Sequence, residues 1–225
     1  MAGTEVNKIF AVFYKEIFSE FRTRYSISAI FLFILTTITM IVFGTAGETL
    51  SLGLVSGFIW IIMFFSAMTG LAKSFVSEEE RGTSLLLRLS TTPGSIYFGK
   101  LIYNCLLSLS MNTFAVLLLF LVMGKVDIKN PLVFILTHVL GSIGIAGGTT
   151  IISAIIARAS TKGALFPVLS FPIVLPLIIV GIESTRLSLE GAPFAQAQND
   201  IQLIVAYCGI IITASYFLFD LIWEE

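Results

Sequence analysis

The chain has 225 residues, 56% of them hydrophobic and only 12% charged, with a formal net charge of −1. A soluble domain carries roughly twice that charged fraction, and a mean hydropathy of +0.98 points to an integral membrane protein. The near-neutral balance argues against nucleic acid or another polyanion as partner, and the single histidine excludes a multi-histidine metal site within one chain.

The apolar run starts only at Ile27, after a charged and amphipathic segment, so residues 1–26 do not read as a signal peptide. Within them Val6, Ile9, Phe10, Phe13, Ile17 and Phe21 recur at helical spacing, while Glu5, Lys8, Lys15, Glu16, Ser19 and Arg22 fill the other face. This predicts an amphipathic helix lying along the membrane surface. The other reading, a soluble helix docked on another domain, lacks a soluble domain to dock on.

Six spans follow, at 27–46, 52–72, 101–124, 132–156, 164–182 and 201–222. Each is near the roughly 20 residues that a bilayer core needs. Cys105 and Cys208 fall inside these runs and read as reduced and packed or lipid-facing, without a disulfide. Span four carries Gly144 and Gly148, a small-xxx-small pair that serves either packing within the bundle or a dimer seam. Span five holds Pro167, Pro172 and Pro176, each removing a backbone donor, so it is expected in the bundle interior and not as one straight rod. Residues 183–200, rich in Ser, Gly, Pro and Gln, read as the loop joining spans five and six.

Orientation follows from the cations. With a cytoplasmic N-terminus, Lys8, Lys15, Arg22, Arg24, Lys73, Arg81, Arg88, Lys100, Arg158 and Lys162 face the cytoplasm, and Lys125, Lys129 and Arg186 face outward. Ten against three predicts both termini and the 73–100 loop on the cytoplasmic side.

That loop is the longest charged interruption, with Lys73, Glu78, Glu79, Glu80, Arg81, Arg88 and Lys100. Ser77 and Glu80 have the spacing of a capping box, which would put three glutamates in the first turn of a helix. Gly82 permits a break, and Thr83 or Ser84 can cap a second short helix over Leu85–Leu89. Pro93-Gly94 is a turn signal that ends it, and Ser95 can cap the next helix. The leucines of this second helix are too few to span. Each is worth about 1.5–3 kcal/mol when buried, so membrane surface or another protein is expected to cover them.

Gly94-Ser-Ile-Tyr-Phe-Gly99-Lys100 begins like a phosphate-binding loop, but Leu101 stands where Ser or Thr must hold magnesium, and no strand precedes it. Gly99 and Lys100 instead mark the cytoplasmic start of span three, with the lysine at the headgroups. His138, near the outer part of span four, is a weak candidate for haem or substrate; a hydrogen bond to a neighbouring helix is the favoured reading. Asn104, Asn112, Thr149, Thr150 and Ser153 read as interhelical hydrogen-bonding groups. No nucleophile–base arrangement or catalytic carboxylate pair emerges. The chain is therefore expected to be non-catalytic, with energy supplied by a gradient or another subunit.

Glu78-Glu79-Glu80-Arg81-Gly82-Thr83, a leucine-rich helix, Ser90-Thr-Thr-Pro93 and Tyr97-Phe-Gly-Lys100 together resemble the first cytoplasmic loop of ABC-2-type permeases. The whole chain resembles the cytochrome c maturation protein B family, the haem exporter B subunits (CcmB). The likeness includes Phe21-Arg-Thr-Arg-Tyr25 leading into Ala29-Ile30, Phe64-Phe65 to Ser74-Phe75, Pro167-Val-Leu169 to Pro176, and the ending Leu221-Ile-Trp-Glu-Glu225.

The resemblance implies an all-α, six-span permease domain over residues 1–225. It also implies pairing with a cytoplasmic ATP-binding-cassette subunit (CcmA), further membrane partners (CcmC, CcmD) and a periplasmic haem chaperone (CcmE), in the bacterial inner membrane. No cofactor is expected on this chain itself: ATP acts through the partner, and haem is the candidate substrate. Residues 83–90 are then the expected coupling helix of a homodimer, with Glu78, Glu79, Glu80, Arg81, Gly82, Leu85, Leu86 and Arg88 as ATPase-coupling residues. The alternatives are a permease for a drug, lipid or polysaccharide, and a non-transporting scaffold that recruits the ATPase.

Overall fold

The computed structural model describes residues 2–45, 48, 50–124, 126–157, 159 and 162–224. Ala46, Gly47, Thr49, Lys125, Arg158, Ser160, Thr161 and Glu225, which carry parts of the predicted turns and two of the counted cations, lie outside the described residues. Among the described residues there are only helices: α1 (Ala2–Thr23), α2 (Tyr25–Gly44), α3 (Leu52–Gly70), α4 (Lys73–Glu80), α5 (Ser84–Ser90), α6 (Pro93–Met123), α7 (Pro131–Ile156), α8 (Lys162–Glu190) and α9 (Phe194–Glu224). Six helical segments, namely α2, α3 with α4, and α6 to α9, are long and apolar enough to cross a membrane.

The helix starts have local causes. Ser51 caps α3 by accepting from the Leu54 amide at 3.4 Å. Asn130 caps α7 by accepting from the Val133 amide at 3.3 Å, with Pro131 in the first turn, where a missing N–H costs nothing. At 31 residues, α6 and α9 are each about 46 Å long, against roughly 30 Å of hydrocarbon. Both therefore project beyond the bilayer core. For α6 the projection is its N-terminal turns, so the helix begins inside the stretch expected as loop.

The three prolines lie within one continuous helix, α8, and the expected place in the bundle interior is corrected: most of α8 is not buried, and the interior position belongs to α7. Pro176 cannot donate to the Pro172 carbonyl, and in that weakened turn the Tyr207 hydroxyl of α9 donates to the next carbonyl, Ile173, at 3.0 Å. The predicted 183–200 loop is likewise mostly helix. α8 runs to Glu190, the chain turns over 191–193 with Gly191 at φ 84°, and α9 begins at Phe194. Asn130 holds the turn from outside: its side-chain amide donates to the Ala192 carbonyl at 2.8 Å and its backbone amide to the Ser188 carbonyl at 3.0 Å. The polar composition read as loop is thus the water-side end of a helical hairpin.

α7 is the hub and packs on α3, α4, α6, α8 and α9. Its glycines let the neighbours approach: a Cβ on Gly144 would stand 2.7 Å from Leu177 of α8, and one on Gly148 would touch Tyr207, Ile173 and Val174. The small-xxx-small pair is therefore consumed inside one chain. Trp60 of α3 wedges against Gly141 and Gly181, and its indole N–H donates to the Thr185 hydroxyl at 3.0 Å.

A polar seam follows the same interior. Asn112 donates to Ser108 and Ser142, Asn104 to Ser74 and Thr150, and Thr137 pairs with Ser184. All of these side chains are buried. In hydrocarbon such groups must find partners in neighbouring helices.

Candidate functional site

The segment 73–100 is built as two helices bolted onto a third. α3 passes through Leu71-Ala72 into α4, so the expected capping box does not form. Ser77 lies inside α4, its carbonyl accepts from the Arg81 amide, and the three glutamates occupy the last turn, not the first. Gly82 at φ 65° makes the break, as a residue without Cβ does most readily. Thr83 precedes α5 without capping it, and its hydroxyl donates back to the Glu78 carbonyl at 3.3 Å. Pro93 opens α6 as its first residue, after an extended Thr92.

α5 turns its leucines in opposite directions. Leu87 is buried, whereas Leu85, Leu86 and Leu89 are 64%, 70% and 79% exposed. The Arg88 guanidinium lies 4.9 Å from the centre of the Trp223 ring of α9. Trp223 stacks on Phe219 at 5.2 Å and meets Phe75 of α4 edge-on at 5.7 Å. Tyr97 of α6 adds to the same aromatic layer. A movement of α5 therefore reaches α9 through Arg88, α3 through α4, and α6 through the link at 91–92.

Beneath this surface lies a charged cluster. Lys100 is wholly buried, and its ammonium donates to Glu16 at 2.6 Å, to the Ser74 carbonyl at 2.6 Å and to Glu78 at 3.2 Å. The half-exposed Lys15 pairs with both Glu16 and Glu78. The headgroup position expected for Lys100 is thus corrected: two carboxylates draw it inward. Burial raises the Glu16 pKa, but Lys100 and Lys15 outweigh this and hold it below the usual carboxylate range. Burial, with help from the Lys100 charge, pushes the Lys15 ammonium down.

The cluster joins α1 to the rest. Contacts run along both helices in the same direction: Glu5 accepts from Thr92 and Ser95 at 2.7 and 2.9 Å, Val12 and the Ile9 carbonyl meet Gly99, and Glu16 meets Lys100. Lys8, then Thr92 and Ser95, hold the Glu5 carboxyl down to about 2. Glu16 and Glu20, two of the helix's charged residues, face the bundle, while Val6, Phe10, Phe18 and Phe21 are exposed. Only Glu16 departs from the expected arrangement: it was placed on the water face and is instead drawn to Lys100, while Val6, Phe10 and Phe21 are left outside the bundle.

Of the sequence-predicted site residues, Glu79, Glu80, Arg81, Gly82, Leu85 and Leu86 are each exposed, and Arg88 is half-buried against Trp223. Glu78 is buried and engaged within the chain. Sequence reasoning missed Glu16 and Lys100 as a pair. The available signal was Gly99, which marks a close helix approach beside a lysine at the edge of a span. His138 stands elsewhere: it stacks on Phe134 at 6.1 Å, shares a 3.1 Å hydrogen bond with Thr113, and lines an apolar cavity of about 390 Å³. Among the described residues no group of three His, Cys, Asp or Glu side chains stands close enough to hold a metal.

No curated protein matches this chain. A family model described as CcmB protein matches residues 7–219, from within α1 to within α9. With that match over a bundle of six spanning helices, the chain belongs to the CcmB family, membrane permease components of haem export in cytochrome c maturation.

Proposed function

We propose that this permease is driven by a separate cytoplasmic ATP-binding-cassette subunit (CcmA), with α5 as the coupling helix. The observation that carries the reading is the exposure of Leu85, Leu86 and Leu89 on a seven-residue helix whose base is fixed to the bundle by Leu87 and Arg88. Covering each exposed leucine in a partner's cleft is worth about 1.5–3 kcal/mol. Glu79, Glu80 and Arg81 border the same surface and orient the partner by charge. Glu78 acts on the inner side, tying the lever to Lys100.

Two copies of the chain, each seating one ATPase subunit, form the transporter core in the bacterial inner membrane. CcmC, CcmD and the haem chaperone CcmE complete the system. Both termini and α5 face the cytoplasm, by the excess of Lys and Arg on that side. ATP-driven closure of the ATPase pair moves α5 only if the partner holds it more tightly in one state than in the other. That movement serves haem export or release of the haem-loaded chaperone.

The test replaces Leu86 by Asp and, separately, Arg81 by Ala. Co-purification of the ATPase subunit and haem attachment to c-type cytochromes are each expected to fall about tenfold or more for Leu86→Asp, the loss of one buried leucine being worth at least that factor. Wild-type values in both assays would remove the coupling role from α5.

A further inference from the structure

A cavity of about 290 Å³ opens between α1, α2, α4 and α6, lined by Glu16, Glu20, Tyr25, Lys73, Glu80, Arg81, Tyr103 and Asn104 among others. It lies beside the end of α3, at the level where the apolar span gives way to charged residues. We infer that it binds the headgroup of one zwitterionic aminophospholipid, with an acyl chain in the adjoining apolar groove.

Four observations carry this. First, the cavity holds charges of both signs outside the Lys100 cluster. Among the described residues Lys73 and Glu20 enter no ion pair, and Glu20 accepts only from the Ile27 amide at 2.9 Å and from Tyr103. A cation and a carboxylate in one cavity fit a ligand with one anionic and one cationic group better than they fit a simple anion. Second, Lys73 already lies 3.8 Å from the centre of the Tyr25 ring, which holds its ammonium at the rim where a phosphate would sit.

Third, Asn104 is wholly buried and lines the cavity, and its amide nitrogen is spent on Ser74 and Thr150, while its Oδ1 has no hydrogen-bond partner. A buried acceptor left open is costly, so the wall beside the cavity favours a donor-bearing, positively charged group over a second anion. Fourth, the cavity shares Glu20 and Tyr103 with an apolar groove of about 160 Å³ lined by Ile17, Phe21, Ile27, Leu106, Leu107 and Met111. Those α6 residues lie deeper along the span than Lys100, so a tail leaving the cavity there runs into the bilayer. The polar chamber and the apolar groove meet at Glu20 and Tyr103, and this adjacency is the reason to assign a lipid and not a free phosphoamine.

Native mass spectrometry of the purified chain, delipidated and exposed to equal amounts of phosphatidylethanolamine, phosphatidylcholine and phosphatidylglycerol, tests the inference. One phosphatidylethanolamine is expected to be retained about tenfold over each of the others, because phosphatidylcholine lacks the N–H donor and phosphatidylglycerol lacks the cation. Glu20→Gln combined with Lys73→Gln should abolish the preference. Should that variant misfold, the wild-type comparison of the ethanolamine and choline lipids decides alone. Soluble glycerophosphoethanolamine at the lipid's concentration should not displace the bound lipid. Equal retention of the three lipids, a preference surviving in a folded double variant, or displacement by the soluble headgroup would each overturn the assignment.

Discussion

Lys100 has no solvent exposure, yet its ammonium meets two carboxylates from different parts of the chain, 84 and 22 residues away. Breaking a buried ion pair from one side leaves charge without compensation, at about 3–5 kcal/mol. Lys100→Met is therefore expected to lower the thermal unfolding midpoint of the purified protein strongly, and to do so more than Glu79→Gln at the surface. The Glu16 carboxyl, held below its ordinary range chiefly because Lys100 and Lys15 outweigh its burial, adds a pH dependence. Its contribution is fully present above the unfolded value of about 4.3 and is lost as pH falls through the lower folded value. A midpoint measured from pH 7 downward should thus drop below about pH 4, and Glu16→Gln should start lower at pH 7 and drop less. None of this pairing was legible in the sequence, because a lysine at a span's edge ordinarily extends to the headgroups. What redirected it was tertiary: two acids brought beside it by helices distant in sequence.

At the scale of elements, the amphipathic pattern of α1 was legible but its docking on α6 through charged residues was not. Periodicity finds a stripe. It does not say that Glu16 and Glu20 turn toward the bundle while Phe10 and Phe18 stay outside. The deciding contact is Gly99, where an added Cβ would stand 2.6 Å from the Val12 Cβ and 2.8 Å from the Ile9 carbonyl, a backbone atom that cannot rotate away. Gly99→Val is therefore expected to cost about 1–3 kcal/mol by overpacking and to lift α1 from α6. Limited trypsinolysis checks this: cleavage after Arg22 or Arg24, at the α1–α2 junction, should quicken in the variant, and an unchanged rate would show that α1 is held by other contacts. The α8–α9 connection failed in the opposite way. Its Ser, Gln and Pro content reads as loop, but residues up to Glu190 and from Phe194 remain helical because Asn130 closes the short turn between them.

For the molecule as a whole, the number and order of spans were legible because hydrocarbon leaves the backbone so few options. Their ends were less so: α4 and the start of α6 continue spans into the stretch read as loop, since length in water is not limited by the bilayer. The coupling role requires that α5 and the α8–α9 turn lie on opposite sides, which follows from odd and even crossings, and that α5 be on the side that contains ATP. Arg186, bracketed by Glu183 and Glu190 at 2.9 and 2.6 Å, marks the far end, where such exposed pairs add little stability and tolerate replacement. Leu86→Cys and Arg186→Cys, each labelled with a membrane-impermeant maleimide, separate the two faces. Cys105 is half-buried and Cys208 buried, both within spans, so the background is expected to be low. In intact spheroplasts Arg186→Cys should react and Leu86→Cys should react only after lysis. The reverse pattern would place the exposed leucines where no ATPase can grip them, and the proposed coupling through α5 would have no source of energy.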